Sequence, residues 1–423
     1  MSEHALNWRT ALLSRRMLVC VFTGFSSGLP LFLLLQLLPA WMRSEHVDLK
    51  SIGLMTLVQM PYTWKFLWSP FLDRYALMSG WLGRRRGWMV VLQIALTCII
   101  PVLGQFNPQV DLGIIALVSV AIAFLSATQD IVLDAYRREL LDDVEQGLGN
   151  IIHVNAYRIS GLIPASLALI LSDHMPWSSV FLVTALFMLP GAFATLLLSP
   201  APAHQAPEPK GLRESVIGPF REFVQRHGAG STVLILLFMC MYKLGDGMAT
   251  ALSTAFYLDL GFTKTEIGVI AKQAGLWPAI IGGMVGGIWM LRLGLNRALW
   301  IFGAMQLSAV LGFAVLAQIG HDLWALGTAI SLEYFGIGLG TAAFVSFIAR
   351  STHPSYAATQ LALLTSIASL PRTGINAGMG WVAEHLGWTD YFLFCFLAGI
   401  PGMIMLIWIA PWNGREAAHS PDA

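Results

Sequence analysis

The sequence predicts an all-α membrane protein of twelve transmembrane helices in two six-helix bundles. Three observations carry this. The 423 residues are 56% hydrophobic and 12% charged, with mean hydropathy +0.66, whereas a soluble chain carries about 25% charged residues. Apolar stretches of about 20 residues, enough to cross ~30 Å of hydrocarbon, recur along the whole chain. One polar, Pro- and Ala-rich stretch, PAPAHQAPEPKG, interrupts them near the middle.

The first half supplies spans near 17–41, 51–71, 87–105, 111–134, 149–171 and 177–199. Arg9, Arg15 and Arg16 precede the first of these. No small-residue cleavage site and hydrophilic mature chain follow, so it reads as a span and not as a cleaved signal. The second half supplies 231–258, 266–289, 297–318, 322–348, 356–380 and 388–410. Between them, 200–230 reads as a cytoplasmic linker. Its stretch RESVIGPFREFVQRHG sets apolar residues at helical spacing among charges, as an interfacial helix does. The expected domains are therefore 1–199, 200–230 and 231–423. The motif DLKSIGLM before the second span is echoed by FTKTEIGVI before the eighth, with Lys50, Ile52 and Gly53 matching Lys264, Ile267 and Gly268. A repeat of six plus six spans suits two bundles around a central path.

Positive charge orients the chain. Arg9, Arg15, Arg16, Arg74, Arg84, Arg85, Arg86, Arg137, Arg138, Lys210, Arg213, Arg221, Arg226, Arg292, Arg297, Arg350 and Arg415 fall on one side of the alternating spans, against Arg43, Lys50 and Lys264 on the other. Both termini and the linker are expected in the cytoplasm. The net charge of +1 leaves no basic field for nucleic acid. Cys20, Cys98, Cys240 and Cys395 each sit alone in an apolar run, which suggests neither a metal site nor a disulfide. The GLGN run at 147–150 lacks the Lys-Ser/Thr ending of a phosphate loop. No cofactor is implied. Bends are expected at Gly24, Gly28, Pro30, Pro61 and Pro164, and close helix packing at the GGMVGG run, 282–287.

An ionisable group inside a span is expensive and normally faces a partner or a water-filled path. Asp130 and Asp134 are four apart and share a helix face, preceded by Gln129. They can carry a proton, bind a hydroxyl or pair with Arg or Lys. Arg158 can meet a carboxylate or neutralise those acids. Lys243 and Asp246 can pair, and protonation of Asp246 would loosen the pair. Burial of Glu333 in low dielectric disfavours its charge unless a cation sits beside it, as a proton carrier requires. The proton-coupling candidates are thus Asp130, Asp134, Asp246 and Glu333. The substrate-binding candidates are Gln129, Arg158, Lys243, Lys272, Gln273, Tyr334 and Arg372. Trp41, Tyr62 and Trp64 join them as aromatics that stack on sugar faces or anchor at the interface. Lys65 reads as a cation snorkelling to the interface.

The segment 69–87, SPFLDRYALMSGWLGRRRG, closes the second span with Asp73 and Arg74 and continues to Arg84, Arg85 and Arg86. These residues can anchor the loop or pair as a gate. With the layout of six plus six spans, the loop resembles that of the major facilitator superfamily, Gly-x-x-x-Asp-Arg-x-Gly-Arg-Arg. Ser69 stands at the first Gly position, and a longer spacer follows Asp73-Arg74. A narrower resemblance runs through FSSGLPLFLLLQLLPAWM (25–42), DLKSIGL (48–54), KFLWSPFLDRY (65–75), GRRRGW (83–88) and SATQDIVLDAYRREL (126–140). These stretches are similar to the AmpG muropeptide permeases. The resemblance implies proton-driven import of anhydromuropeptides across a bacterial inner membrane for wall recycling, by alternating access. Its implied partners are the muropeptide, protons and the bilayer, with the chain a monomer. Related permeases and acetyl-coenzyme A transporters share parts of the pattern, and a siderophore, nucleotide-linked or acetyl-coenzyme A cargo is the alternative within transporters. A membrane enzyme or a channel is the alternative from another class, but no metal or phosphate motif stands beside the acids.

Overall fold

Hydrocarbon offers no water to a backbone, so a spanning chain satisfies its N–H and C=O groups within helices. The structure, a computed structural model, describes residues 14–74, 77, 82–141, 143–199, 212–352 and 357–413. Among them every regular element is helical. Ten helices of the described residues are long and apolar enough to cross a membrane. The eleventh predicted span coincides with a helix at Ala357–Leu386.

The second predicted span is not one rod. It runs as α2 (Leu49–Leu54), a 3₁₀ turn (Met55–Gln59), α3 (Met60–Trp64), a second 3₁₀ turn (Lys65–Leu67) and α4 (Ser69–Arg74). Pro61 and Pro70 each remove a backbone donor, which explains the segmentation. The contacts also divide the chain into two compact units, Met1–Val47 with Val58–Pro209, and Asp48–Leu57 with Lys210–Ala423. The boundary thus departs from the sequence halves at α2, which clusters with the second unit.

In the first unit, α1 (Arg15–Ser44) is followed by α3 and α4, α5 (Arg84–Leu103), α6 (Leu112–Leu140), α7 (Asp143–Ser160) and α8 (Trp177–Leu197). The bend after Pro30 is a π-turn at Leu33–Leu37, and Pro164 lies in another at Ile163–Leu167. Met17, Leu72, Met89, Val132 and Tyr136 build a core between α1, α4, α5 and α6.

The second unit contains α9 (Leu212–His227), α10 (Ala229–Tyr242), α11 (Leu244–Ala251), α12 (Ser253–Asp259), α13 (Lys272–Leu293), α14 (Leu295–Ala309), α15 (Leu311–Ile319), α16 (Leu323–Arg350), α17 (Ala357–Leu386) and α18 (Trp388–Ile409). The linker helix α9 docks through Phe223, which is buried with Phe238, Tyr242, Phe302 and Phe347. Helices α13 and α16 pack backbone to backbone. A Cβ on Gly282 would fall on the Phe335 carbonyl, and one on Gly338 on the Ala279 carbonyl. Within 282–287, Gly282 and Gly286 face α16 and serve close packing, while Gly283 and Gly287 face open space. At such contacts dispersion replaces the hydrophobic drive that lipid abolishes.

Helix α2 packs on α17 in the same way, since a Cβ on Gly380 would overlap the Leu49 carbonyl. The Lys50 amide donates to Glu384 Oε1 at 3.1 Å. Asp48 caps α2 by accepting from the Ser51 amide at 2.7 Å. Partial burial works against its charge, yet the Ser51 amide and hydroxyl and the nearby Lys50 hold the carboxyl below its ordinary value. The cap is therefore present above the ordinary carboxylate range and lost as pH falls through the folded-state value. Asp48→Ala is expected to cost about 1 kcal/mol. Thermal melts at neutral and acidic pH check this, because the difference between variant and parent should shrink in acid.

Candidate functional site

In the first unit, α1 and α6 meet at one acid. Ser27 Oγ donates to Asp130 Oδ1 at 2.6 Å. The cations whose charge reaches Asp130 are Lys65 and Arg137, so Lys65 belongs to the surroundings of this acid. A neutral network lies beside it. Gln129 Nε2 donates to the Ser26 carbonyl at 3.0 Å, and Gln93 Nε2 to Ser26 Oγ at 3.1 Å. Thr195 Oγ1 donates to Gln93 Oε1 at 3.1 Å. These bonds tie α1, α5, α6 and α8 together, each contributing about 0.6–2 kcal/mol in a membrane. Gln129 is fully buried in this network. Its amide N–H ties α6 to α1, while its Oε1 has no hydrogen-bond partner among the described residues.

Asp134 behaves differently from Asp130. Its side chain is 54% exposed and pairs with Arg137 at 2.8 Å. Exposed pairs of this kind contribute about 0–1 kcal/mol. Asp134→Asn should therefore leave thermal stability and uptake near the parent values, whereas Asp130→Asn should change uptake. Equal losses from the two would show that the shared face acts as one site.

The Arg cluster also finds partners inside the unit. Arg85 is 4% exposed and pairs with Glu139 at 2.8 Å, joining α5 to α6. Arg86 Nη2 donates to the Leu196 carbonyl at 3.2 Å, and Arg15 donates to those of Leu197 and Leu198. Two guanidinium groups thus cap the end of α8, where carbonyls lack helical donors. The side chains of Asp73, Arg74 and Arg84 lie outside the described residues.

Of the aromatics, Trp41 is 1% exposed and packed edge-on against Phe181 at 4.9 Å, with Trp177 at 6.2 Å. It belongs to the core, which corrects its expected stacking role. Tyr62 is half-buried, and Trp64 is 41% exposed on α3. Arg158 is exposed on α7, and its side chain has no ion pair or hydrogen bond among the described residues. It neutralises neither acid, so its guanidinium is free to meet another anion.

In the second unit the chain breaks at a charge. Lys243 separates α10 from α11 with φ −105° and ψ 12°. Its Nζ pairs with Asp246 Oδ2 at 2.8 Å and donates to Gln306 Oε1 at 2.7 Å. Gln306 Nε2 donates back to Asp246 Oδ1 at 3.0 Å. The three side chains close a ring between the broken helix and α14. A Cβ on Gly340 would overlap Gln306 Oε1, so α16 presses on this ring. Neighbouring side chains also bond the broken segment's carbonyls. Tyr391 Oη donates to that of Met248 at 2.6 Å, and Asn376 Nδ2 to that of Gly247 at 3.4 Å.

Glu333, on α16, is fully buried, and neither carboxyl oxygen has a hydrogen-bond partner among the described residues. The charges that reach it are those of Asp246 and Lys243. One cation thus stands near two carboxylates. Lys272 opens α13, directly after a π-turn at Ile267–Ala271. Tyr334 packs its ring toward Gly275, where a Cβ would meet it at 3.5 Å. Gln273 Oε1 accepts from Trp277 Nε1 at 2.9 Å on an exposed face, which commits it locally. The side chain of Arg372 lies outside the described residues. Sequence reasoning missed Ser27, Gln93 and Gln306. For the two glutamines the signal was a lone neutral polar residue in an apolar run, as in VLQIAL and AMQLSAV; Ser27 stands beside Ser26 in GFSSGLP, which carried no such signal.

The comparisons with known proteins agree with this architecture. The chain is 40% identical over 394 residues to the anhydromuropeptide permease of Escherichia coli (strain K12), covering 93% of this chain and 79% of that one. It is 49% identical over 410 residues to an uncharacterized protein of Haemophilus influenzae, covering 95% and 96%. A putative transporter AmpG 4 of Rickettsia conorii is 31% identical over 397 residues, covering 91% and 94%. Among solved structures, the nucleoside transporter NupG superposes with a TM-score of 0.72 at 12% identity, covering 93% and 98%, a likeness of fold alone. Residues 20–375 match the Major Facilitator Superfamily profile. With a permease relative spanning nearly the whole chain, the protein belongs to the major facilitator superfamily and, within it, to the AmpG-like permeases.

Proposed function

We propose that this chain imports anhydromuropeptides from periplasm to cytoplasm across a bacterial inner membrane, as a monomer, with protons moving down their gradient. The observation that carries this reading is the 40% identity to an anhydromuropeptide permease over 93% of the chain. The cargo is N-acetylglucosamine joined to 1,6-anhydro-N-acetylmuramic acid and a short peptide. The Lys and Arg distribution supports cytoplasmic termini.

The ionisable groups support a division of labour. Arg158 suits a peptide carboxylate, since a guanidinium with no protein partner offers a planar donor fork. Lys272 and Arg372 are further cations for the cargo's acids, and Tyr62, Trp64 and Tyr334 offer ring or hydroxyl contacts. Glu333 and Asp130 carry the proton. Charged Glu333 competes with Asp246 for Lys243, while protonated Glu333 leaves the Lys243–Asp246–Gln306 ring intact. Proton binding thereby changes the hold on the break between α10 and α11, where a broken helix can rock.

Uptake into liposomes tests this reading. Purified protein with an imposed inward proton gradient should accumulate labelled N-acetylglucosaminyl-anhydromuropeptide, and a protonophore should abolish accumulation. Uptake of another solute by the same preparation, without the muropeptide, would overturn the cargo. Accumulation indifferent to the protonophore would overturn the coupling.

A further inference from the structure

A cavity of about 260 Å³ lies in the second unit among four helix ends. Ser231 lies in the first turn of α10 and Asn296 in that of α14, while Arg350 ends α16 and Ile409 ends α18. The cavity is thus level with the ends of the spans, where lipid headgroups lie, and not with the hydrocarbon centre.

Its lining has two characters. Arg350 is exposed and has no ion pair or hydrogen bond among the described residues. His227 uses Nδ1 on the Phe223 carbonyl at 3.1 Å, and its Nε2 has no partner among them. No acidic side chain lines the cavity among the described residues. The neighbouring Arg226 is already held by Glu222 and by the Ser351 carbonyl, both at 2.9 Å, so Arg350 is the available cation. The other wall is apolar, with Phe347 and with Trp408, which is 63% exposed. A free phosphate would use the cation and leave the apolar wall unmatched. An amphiphile fits both, with its phosphate on Arg350 and its chain along Trp408.

We infer that this cavity binds the headgroup of an anionic phospholipid from the surrounding leaflet. The inference does not depend on what the chain carries. A guanidinium–phosphate contact is charge-assisted and bidentate, and the wall residues add area in contact with the acyl chain.

Binding of short-chain phosphatidylglycerol to the purified full chain in detergent tests it, by native mass spectrometry and thermal shift. Phosphatidylcholine and inorganic phosphate serve as comparison probes. Phosphatidylglycerol should be retained and raise the melting temperature, with neither comparison probe matching it. Arg350→Gln should weaken retention roughly tenfold, with Arg350→Lys intermediate, and Trp408→Ala should weaken it less. Unchanged retention in Arg350→Gln and Trp408→Ala would place the lipid elsewhere and overturn the assignment. An equal shift from inorganic phosphate would make this a soluble-anion pocket and overturn it too. If Arg350→Gln is not monodisperse, Trp408→Ala decides by the same criterion.

Discussion

Glu333→Gln is expected to reduce gradient-driven accumulation of muropeptide to the level of protein-free liposomes, while exchange of labelled for unlabelled cargo continues. The amide has the volume of the acid but cannot release a proton. Glu333 is fully buried and its oxygens lack hydrogen-bond partners among the described residues, so little local bonding is lost by the change. A purely structural role would instead appear as lower thermal stability with accumulation retained per folded molecule. Uptake and counterflow measured on the same vesicles separate the two. If Glu333→Gln accumulates cargo normally and Asp130→Asn does not, the coupling site lies in the first unit. If both accumulate normally, neither acid carries the proton.

Lys243→Met is expected to cost about 3–5 kcal/mol, because removing one partner strands a buried charge. Asp246 is 6% exposed and would keep only the Gln306 amide at 3.0 Å. The double variant Lys243→Met with Asp246→Leu should recover most of that loss, since an apolar pair of similar volume often replaces a buried ion pair at little cost. Recovery will be incomplete, because Gln306 loses both partners and a buried unsatisfied polar group costs about 1–3 kcal/mol. A thermal-melt cycle over the four proteins gives the coupling energy. Additive losses would show that the ring contributes no pairwise stability. A double variant that folds but fails in uptake would assign the ring to transport.

The spans were legible because the signal is massive. Each needs about 20 apolar residues, and few alternatives satisfy their backbone in lipid. The second span was misjudged as one helix because hydropathy averages over Pro61, Lys65 and Pro70, which segment it locally. For the same reason the transfer of α2 to the second unit was invisible. It depends on Gly53 and Gly380, whose lack of side chains matters only when two backbones meet. Charged residues in apolar runs announced themselves, and Asp130, Lys243, Asp246 and Glu333 all proved buried or bonded. What spacing could not show was the partner. Asp134 shares a helix face with Asp130, yet its side chain is half exposed and pairs with Arg137 one turn on. Trp41 looked like an interfacial platform, because its type and position near a span end fit one equally well. Gln306 drew no notice because a neutral amide costs little in a hydropathy sum, although it holds both charges of the ring.

The ring of Lys243, Asp246 and Gln306 has one positive charge, one negative charge and a neutral amide. A membrane potential acts on net charge, at ~2.3 kcal/mol per elementary charge per 100 mV. Moving the intact ring through part of that field therefore does almost no electrical work. In the proposed symport the voltage sensitivity of the cycle should then come from the proton and from the cargo's own carboxylates. Lys243→Met would leave a net negative charge in the ring, so the return of the empty carrier would itself become sensitive to the potential.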